Sequence, residues 1–186
     1  MTFASLAARV RQPLRDFAGD KRGVSAVEFA MLLPLMVTLY IGGVEVSQAI
    51  AVDRKVTLVA RTLGDLVAQS TTVNAADMTN ILNAAGTVVQ PYSDTLIKIT
   101  VSRVDVDGAG AAKVVWSKTK NGTARGVNSA VTLPAALNTA NTSLIWAESQ
   151  YDYTPTIGYV ITGTMTMKDQ IYMRPRLSDT VACNAC

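Results

Sequence analysis

The chain has 186 residues, a length that favours one compact domain with accessory segments. It contains no histidine, which removes the commonest general base, the Ser-His-Asp triad and most zinc sites. The net charge of +3 arises within residues 1–23, and the remainder carries 12 basic and 12 acidic residues. The folded part therefore has no basic excess for nucleic acid, and we expect no catalysis, no metal and no cofactor.

The chain begins with a basic segment, residues 1–23, which is followed by an apolar segment, residues 24–44. The apolar segment carries one charge, Glu28, and as a helix it would extend about 31 Å, close to the thickness of a bilayer's hydrocarbon core. We therefore predict a single membrane-spanning helix over residues 24–44. The positive charge that precedes it predicts a cytoplasmic N-terminus and an extracytoplasmic C-terminal domain.

The same helix is predicted to continue through residues 45–70 as an amphipathic segment. Apolar residues recur there at steps of three and four, which describes one face of a helix. These residues are Val46, Ala49, Val52, Val56, Val59, Leu63 and Leu66. We expect this face to pack against the domain that follows, although Gly64 weakens the helix locally.

Residues 71–186 predict a small α+β domain. Asn74 and Asp77 resemble an N-terminal cap, so a second, short helix is expected over 75–88, and Pro91 follows it as a stop. Strands are expected near residues 95–106, 113–117, 143–153 and 161–173, with a turn at Asp107-Gly108 rather than a calcium loop. Residues 118–142 are predicted to be a long surface loop. The fold class is thus a long helix on about four antiparallel strands.

Pro34 lies inside the predicted span and cannot donate a hydrogen bond to the Ala30 carbonyl. We expect a kink at this position. The kink is either a functional point of flexibility or a tolerated proline of a membrane helix.

The most informative pattern is Lys21-Arg22-Gly23 followed by four residues, then Glu28, Phe29 and the apolar run. It resembles the processing site of type IV prepilins, in which a membrane-embedded prepilin peptidase cuts after the glycine. That resemblance implies cleavage between Gly23 and Val24. It also implies that Glu28, beside Phe29, pairs with the new N-terminus of a neighbouring subunit. A carboxylate that reaches the headgroups is the alternative for Glu28.

A longer stretch, Arg-Gly-x-x-Ala-Val-Glu-Phe-Ala followed by Leu-Leu-Pro-Leu, is similar to the N-terminal signature of TadE-like proteins. These are minor pseudopilins of the tight-adherence (Flp-type) pilus. The similarity covers residues 21–70 well and 143–176 loosely. It implies an inner-membrane protein whose partners are pilin and pseudopilin subunits and the pilus assembly platform.

The two cysteines, Cys183 and Cys186, stand in the last four residues. Outside the cytoplasm such a pair can close a small ring, so we expect an intramolecular disulfide. A redox-active pair and disulfides to another chain are the alternatives.

Two other functions compete with a pilus subunit. One is a secreted protein cut after Ala49-Ile50-Ala51, and the other is a membrane-anchored binding domain that is never cleaved. The mature N-terminus separates these possibilities.

Overall fold

The computed structural model describes residues 22–184, and the chain divides into two compact units between Val44 and Glu45. Helix α1 (Arg22–Ala68) confirms the predicted long helix. The other elements are β1 (Thr72–Asn74), α2 (Ala75–Thr87), β2 (Ile97–Val106), β3 (Ala112–Lys120), β4 (Ala130–Val131), β5 (Thr142–Tyr153), β6 (Met165–Met173) and β7 (Ala182–Asn184). The predicted α+β class is confirmed.

The second half of α1 buries one face, as its periodicity predicts. Ala49, Val52, Val56, Val59, Leu63 and Val67 are all buried. The prediction was wrong for Val46, which is 47% exposed, and Leu66 is half-buried. At 3.6 residues per turn the buried line runs back from Val52 through Ala49 to Glu45, so Val46 lies beside the line rather than on it.

Helix α2 begins with the predicted cap. The Asn74 side chain accepts a hydrogen bond from the Asp77 N–H (2.9 Å), and the Asn74 N–H donates to the Asp77 carboxylate (3.4 Å). These two bonds form a capping box, which satisfies two backbone donors that a helix start leaves without partners. Met78 and Leu82 then bury the inner face of α2.

The main sheet is antiparallel and has the strand order β4-β3-β2-β5-β6. It has five strands rather than about four, because the predicted loop at 118–142 contains β4, a two-residue strand too short to show periodicity. The last strand of this sheet begins at Met165 rather than at Ile161. A separate parallel pair joins β1 to β7.

The sheet carries apolar clusters on both faces. The buried side of α1 packs against one face, which includes Ile99 of β2 and Ile145 of β5, and Val104 and Leu144 belong to a second cluster on the other face. Ordinary alternation lets β2 and β5 contribute to both clusters, and a β-bulge lets β3 do the same. Trp116 pairs with Arg103 and Val114 with Val104, so the extra residue Val115 sends its two neighbours to opposite faces.

The aromatic residues serve sheet packing, as predicted. Trp116, Trp146, Tyr151 and Tyr153 are all buried. The Trp116 indole donates to the Val181 carbonyl (3.0 Å), and Trp146 stacks on Tyr172 at 5.4 Å between ring centroids.

The turn that joins β2 to β3 is the predicted hairpin turn. The Asp107 carboxylate accepts hydrogen bonds from the N–H groups of Ala109 (2.9 Å) and Ala111 (2.8 Å). Its oxygen is therefore engaged by the backbone of the turn itself, as is typical of aspartate in tight turns.

Candidate functional site

The predicted processing site lies in the first turn of α1. Gly23 and Val24 are exposed, and a Cβ built on Gly23 would meet no atom within 4 Å. The first backbone N–H groups of a helix have no intrahelical acceptor, so this turn opens more readily than the interior. The peptide bond after Gly23 is therefore open to an approaching protein. The leader residues 1–21, including Lys21, lie outside the described residues.

Glu28 and Phe29 project from α1 without partners in the described part of the chain. Both are exposed, and Glu28 makes no hydrogen bond or ion pair within residues 22–184. Its neighbours along the helix, Val27 and Met31 among them, are exposed apolar side chains. The arrangement leaves a carboxylate on an apolar surface, available to a group on another molecule.

Pro34 lies within the continuous helix, and the helix assignment is not interrupted there. The Thr38 hydroxyl donates a hydrogen bond to the Pro34 carbonyl at 2.8 Å, one turn further on. Such bonds from threonine to the preceding turn accompany helix bending. The kink itself stays a prediction.

The first unit presents an apolar surface along α1. Large apolar side chains are exposed on every side of the helix over residues 24–40, and none of them is buried. In the described residues α1 is the one helix that is long and apolar enough to cross a membrane. An apolar surface of this extent is unfavourable in water and suits lipid or an apolar protein partner. It is compatible with a single-pass membrane anchor.

The second unit opens with a buried carboxylate that the sequence patterns did not single out. Glu45 is 1% exposed and stands on the buried line of α1, four residues before Ala49. One carboxylate oxygen accepts the Tyr159 N–H at 2.8 Å. The other accepts the N–H groups of Val160 (3.0 Å) and Ile161 (2.7 Å). We call these three bonds the Glu45 clasp.

Three consecutive donors stabilise the ionised form of the carboxylate. The N–H groups of Ile161 and Tyr159 are the main causes that hold the pKa of Glu45 below its usual range, against the opposing effect of burial. Gly158 precedes the donors with φ of +64°, a left-handed conformation that glycine adopts without strain. Successive N–H groups after such a turn form a concave anion-binding surface.

The sequence contains a signal for Glu45. Glu45, Ala49, Val52 and Val56 follow helical spacing, so the first member of the buried line is charged. A charge on a buried face requires a partner. The partner lies more than one hundred residues away along the chain, where local patterns give no indication of it.

The face of the sheet opposite α1 carries a polar groove in which some of the charged side chains are paired. Arg125 makes a bidentate pair with Glu148 (2.7 and 2.8 Å) and lies over the Trp146 ring, 3.7 Å from its centroid. Lys98 pairs with Asp152 at 2.7 Å. Within the described residues no three His, Cys, Asp or Glu side chains cluster as metal ligands would. The groove has the character of a solvated sheet face.

The C-terminal cysteines fall at the edge of the described region. Cys183 lies in β7, where it is half-buried and pairs in register with Val73 of β1. Cys186 lies outside the described residues. The Cys183–Cys186 disulfide stays a prediction.

Comparison with known proteins bears on α1. Residues 23–64 match the family model described as TadE-like protein, which confirms the resemblance seen in the sequence. The family is a structural, pilus-associated one, and the match supports a protein associated with the tight-adherence pilus. No curated protein and no solved structure gave a match.

Proposed function

We propose that this chain, which matches TadE-like proteins over residues 23–64, is a minor pseudopilin: a non-enzymatic subunit required to assemble a tight-adherence pilus. The observation that carries the proposal is the coincidence of three features in one segment. The family match begins at Gly23, the helix surface after it is apolar and exposed, and Glu28 lies on that surface without a partner in the described residues. A segment of this kind is suited to lateral packing with similar helices.

The proposed topology follows from charge and apolarity. Residues 24–44 span the bacterial inner membrane, with the basic leader in the cytoplasm and the sheet domain outside it.

Processing is the second part of the proposal. A prepilin peptidase cuts between Gly23 and Val24 and leaves the apolar helix in place as the new N-terminal segment. The exposed first turn and the open space around Gly23 support access to this bond.

The third part is a role for Glu28 between subunits. A carboxylate inside a membrane span costs about 2.5–3.5 kcal/mol on insertion scales, so a partner is needed. After cleavage, the amine of Val24 on a neighbouring subunit supplies the opposite charge. Such a pair, formed in a medium of low dielectric, fixes the register of packed helices.

A secreted or uncleaved anchored protein is less well supported. A cut after Ala51 would detach Glu45 and Ala49 from the domain that buries both of them. The Glu45 clasp and the burial of Ala49 would be lost together. The uncleaved anchor gives no role to the Gly23–Glu28 spacing.

The mature mass tests the processing step. The wild-type protein, extracted from membranes of a host with a tight-adherence system, is expected to begin at Val24. Gly23→Phe should leave the full-length chain in the membrane. Gly43→Phe is the matched control, because Gly43 lies in the same helix with no atom within 4 Å of its Cβ position. An identical mature mass for wild type and Gly23→Phe would contradict the processing site.

Piliation tests the role of Glu28. Glu28→Ala is expected to insert and be cleaved normally, because it removes a charge from the span, while the number of pili falls. The variant must be the only copy in the cell, and membrane amount and mature mass serve as controls. Normal piliation by this variant would eliminate the proposed pairing.

The C-terminal cysteines test the topology independently. If residues 45–186 lie outside the cytoplasm, the C-terminal peptide should carry a Cys183–Cys186 disulfide, seen by mass spectrometry without reduction. The short loop that it closes implies only modest stabilisation. Two free thiols in that peptide, or a link to another chain, would contradict the local disulfide.

A further inference from the structure

We propose that the loop at 154–164, which joins β5 to β6, is a membrane-contacting element whose apolar tip rests in the headgroup region of the bilayer. The tip consists of Ile157, Tyr159 and Val160. The inference goes beyond the pilus role, but it rests on the proposed insertion of residues 24–44.

The tip concentrates apolar surface that the domain leaves uncovered. Ile157 is 57% exposed, Tyr159 62% and Val160 47%, within four consecutive residues. Single exposed apolar residues are ordinary, but a group of three on one loop tip indicates a binding surface. Residues 154–164 also contain no charged side chain, so contact with lipid would bury no charge.

The loop is held in a defined conformation rather than left free. The Thr154 and Thr164 hydroxyls lie 2.9 Å apart and close its base. The Glu45 clasp fixes the backbone at Tyr159, Val160 and Ile161. Because the backbone N–H groups of Tyr159 and Val160 are engaged by the clasp while their side chains are exposed, the apolar groups are presented outward.

The clasp also bonds the loop to one particular residue of α1. Glu45 directly follows Val44, the last residue of the proposed span, in the same helix. A loop bonded to Glu45 is therefore tied to the point at which α1 leaves the hydrocarbon. Tyrosine is enriched at this depth, because its ring is apolar and its hydroxyl reaches water.

Other exposed apolar residues near the clasp also support contact with lipid. Val46 and Ile50, in the first turns of α1 after the span, are about half exposed although they belong to an otherwise amphipathic segment. Apolar surface therefore continues along α1 past Val44, with the exposed polar residues Ser47 and Gln48 between Val46 and Ile50. A protein partner would require no such continuity with the span.

Photocrosslinking in vesicles tests the inference with the full chain. The protein is reconstituted into vesicles of phosphatidylethanolamine and phosphatidylglycerol, with benzoylphenylalanine in place of Tyr159. A second sample carries it in place of Leu177, which is 69% exposed and follows Arg176, whose N–H donates to the Ala68 carbonyl. Ala68 is about 34 Å along α1 from Glu45, so Leu177 is a matched exposed position away from the clasp. A third sample carries it in place of Met31, inside the proposed span.

Lipid adducts, measured by mass spectrometry, are expected at positions 31 and 159 and absent at 177. In a Glu45→Gln background the adduct at 159 should be lost or reduced, while the adduct at 31 is retained. An adduct at 31 without one at 159 would overturn the loop contact and leave the membrane anchor intact. A crosslink from 159 to a second copy of the chain would also overturn it. No adduct at either 31 or 159 would overturn the loop contact and the anchor together.

Discussion

The two halves of α1 are both rich in apolar residues, yet their side chains meet different surroundings. Over residues 24–40 the large apolar side chains are exposed on every side of the helix. From Ala49 to Val67 the apolar residues of one side form a line that is buried against the sheet, while Ile50 and Leu58 lie off that line and are exposed. The difference shows that periodicity, rather than apolar content, decides whether a helix packs within its own chain.

The two glutamates of α1 sharpen the contrast. Glu28 is exposed on an apolar surface and has no partner in the described residues, whereas Glu45 is buried and accepts three backbone N–H groups. The carboxylate in the first half finds no partner among the described residues. The carboxylate in the second half is satisfied by its own chain, where it orders a loop.

The largest expected difference between the halves comes from truncating a leucine in each. Leu63→Ala should lower the free energy of unfolding of the sheet domain by about 2–5 kcal/mol, because Leu63 is fully buried between α1 and the sheet. Leu33→Ala should leave it unchanged, because Leu33 is exposed in the first half. Urea unfolding in detergent, followed by fluorescence of the buried Trp116 and Trp146, measures both. Equal losses of unfolding free energy for the two variants would contradict the proposed difference between the two halves of α1.

A smaller difference is expected for the glycines. A Cβ on Gly64 would lie 3.2 Å from the Met173 sulfur and 3.4 Å from the Ala147 Cβ, so the sheet approaches the helix closely there. Gly64→Val should therefore destabilise the domain by about 1–3 kcal/mol through overpacking.

The control for this variant is Gly43→Val, since a Cβ at Gly43 meets no atom within 4 Å. The same urea titration should show no change in domain stability. If Gly64→Val were as stable as wild type, the close packing at this position would not limit the size of the side chain there.

The smallest expected effect is local and depends on pH. The backbone donors hold the pKa of Glu45 below its usual range, so the clasp contributes stability above the usual carboxyl pKa. That contribution is lost as the pH falls through the lowered pKa of the folded state. Hydrogen exchange should show protected amides at Tyr159, Val160 and Ile161 near neutral pH, after correction for intrinsic rates, and loss of protection in acid.

Glu45→Gln should remove this pH dependence and leave the three amides less protected throughout. Glu28→Gln is the matched control and should not change them, because Glu28 makes no hydrogen bond among the described residues. A pH dependence that persists in Glu45→Gln would assign the effect to another group.

Local patterns were sufficient for most of the elements. The steps of three and four predicted the buried face of α1, and Asn74 with Asp77 predicted the start of α2, because helical neighbours are also close in sequence. The motif from Gly23 to Phe29 likewise predicted the family match, which begins at Gly23. Alternation predicted β2 and β5, although the start of β6 was placed at Ile161 rather than at Met165.

The tertiary structure alone decided the features that join distant segments. The Glu45 clasp joins residues 114 to 116 positions apart, and the bulge at Val115 depends on the register between β2 and β3. Neither leaves a periodic trace, because each depends on the three-dimensional position of one side chain or one extra residue. The sequence thus determined which faces of the helices and strands are apolar. Only packing determined which groups satisfy the carboxylate at the first position of the buried line, because its partners are backbone groups whose chemistry is the same in every residue except proline.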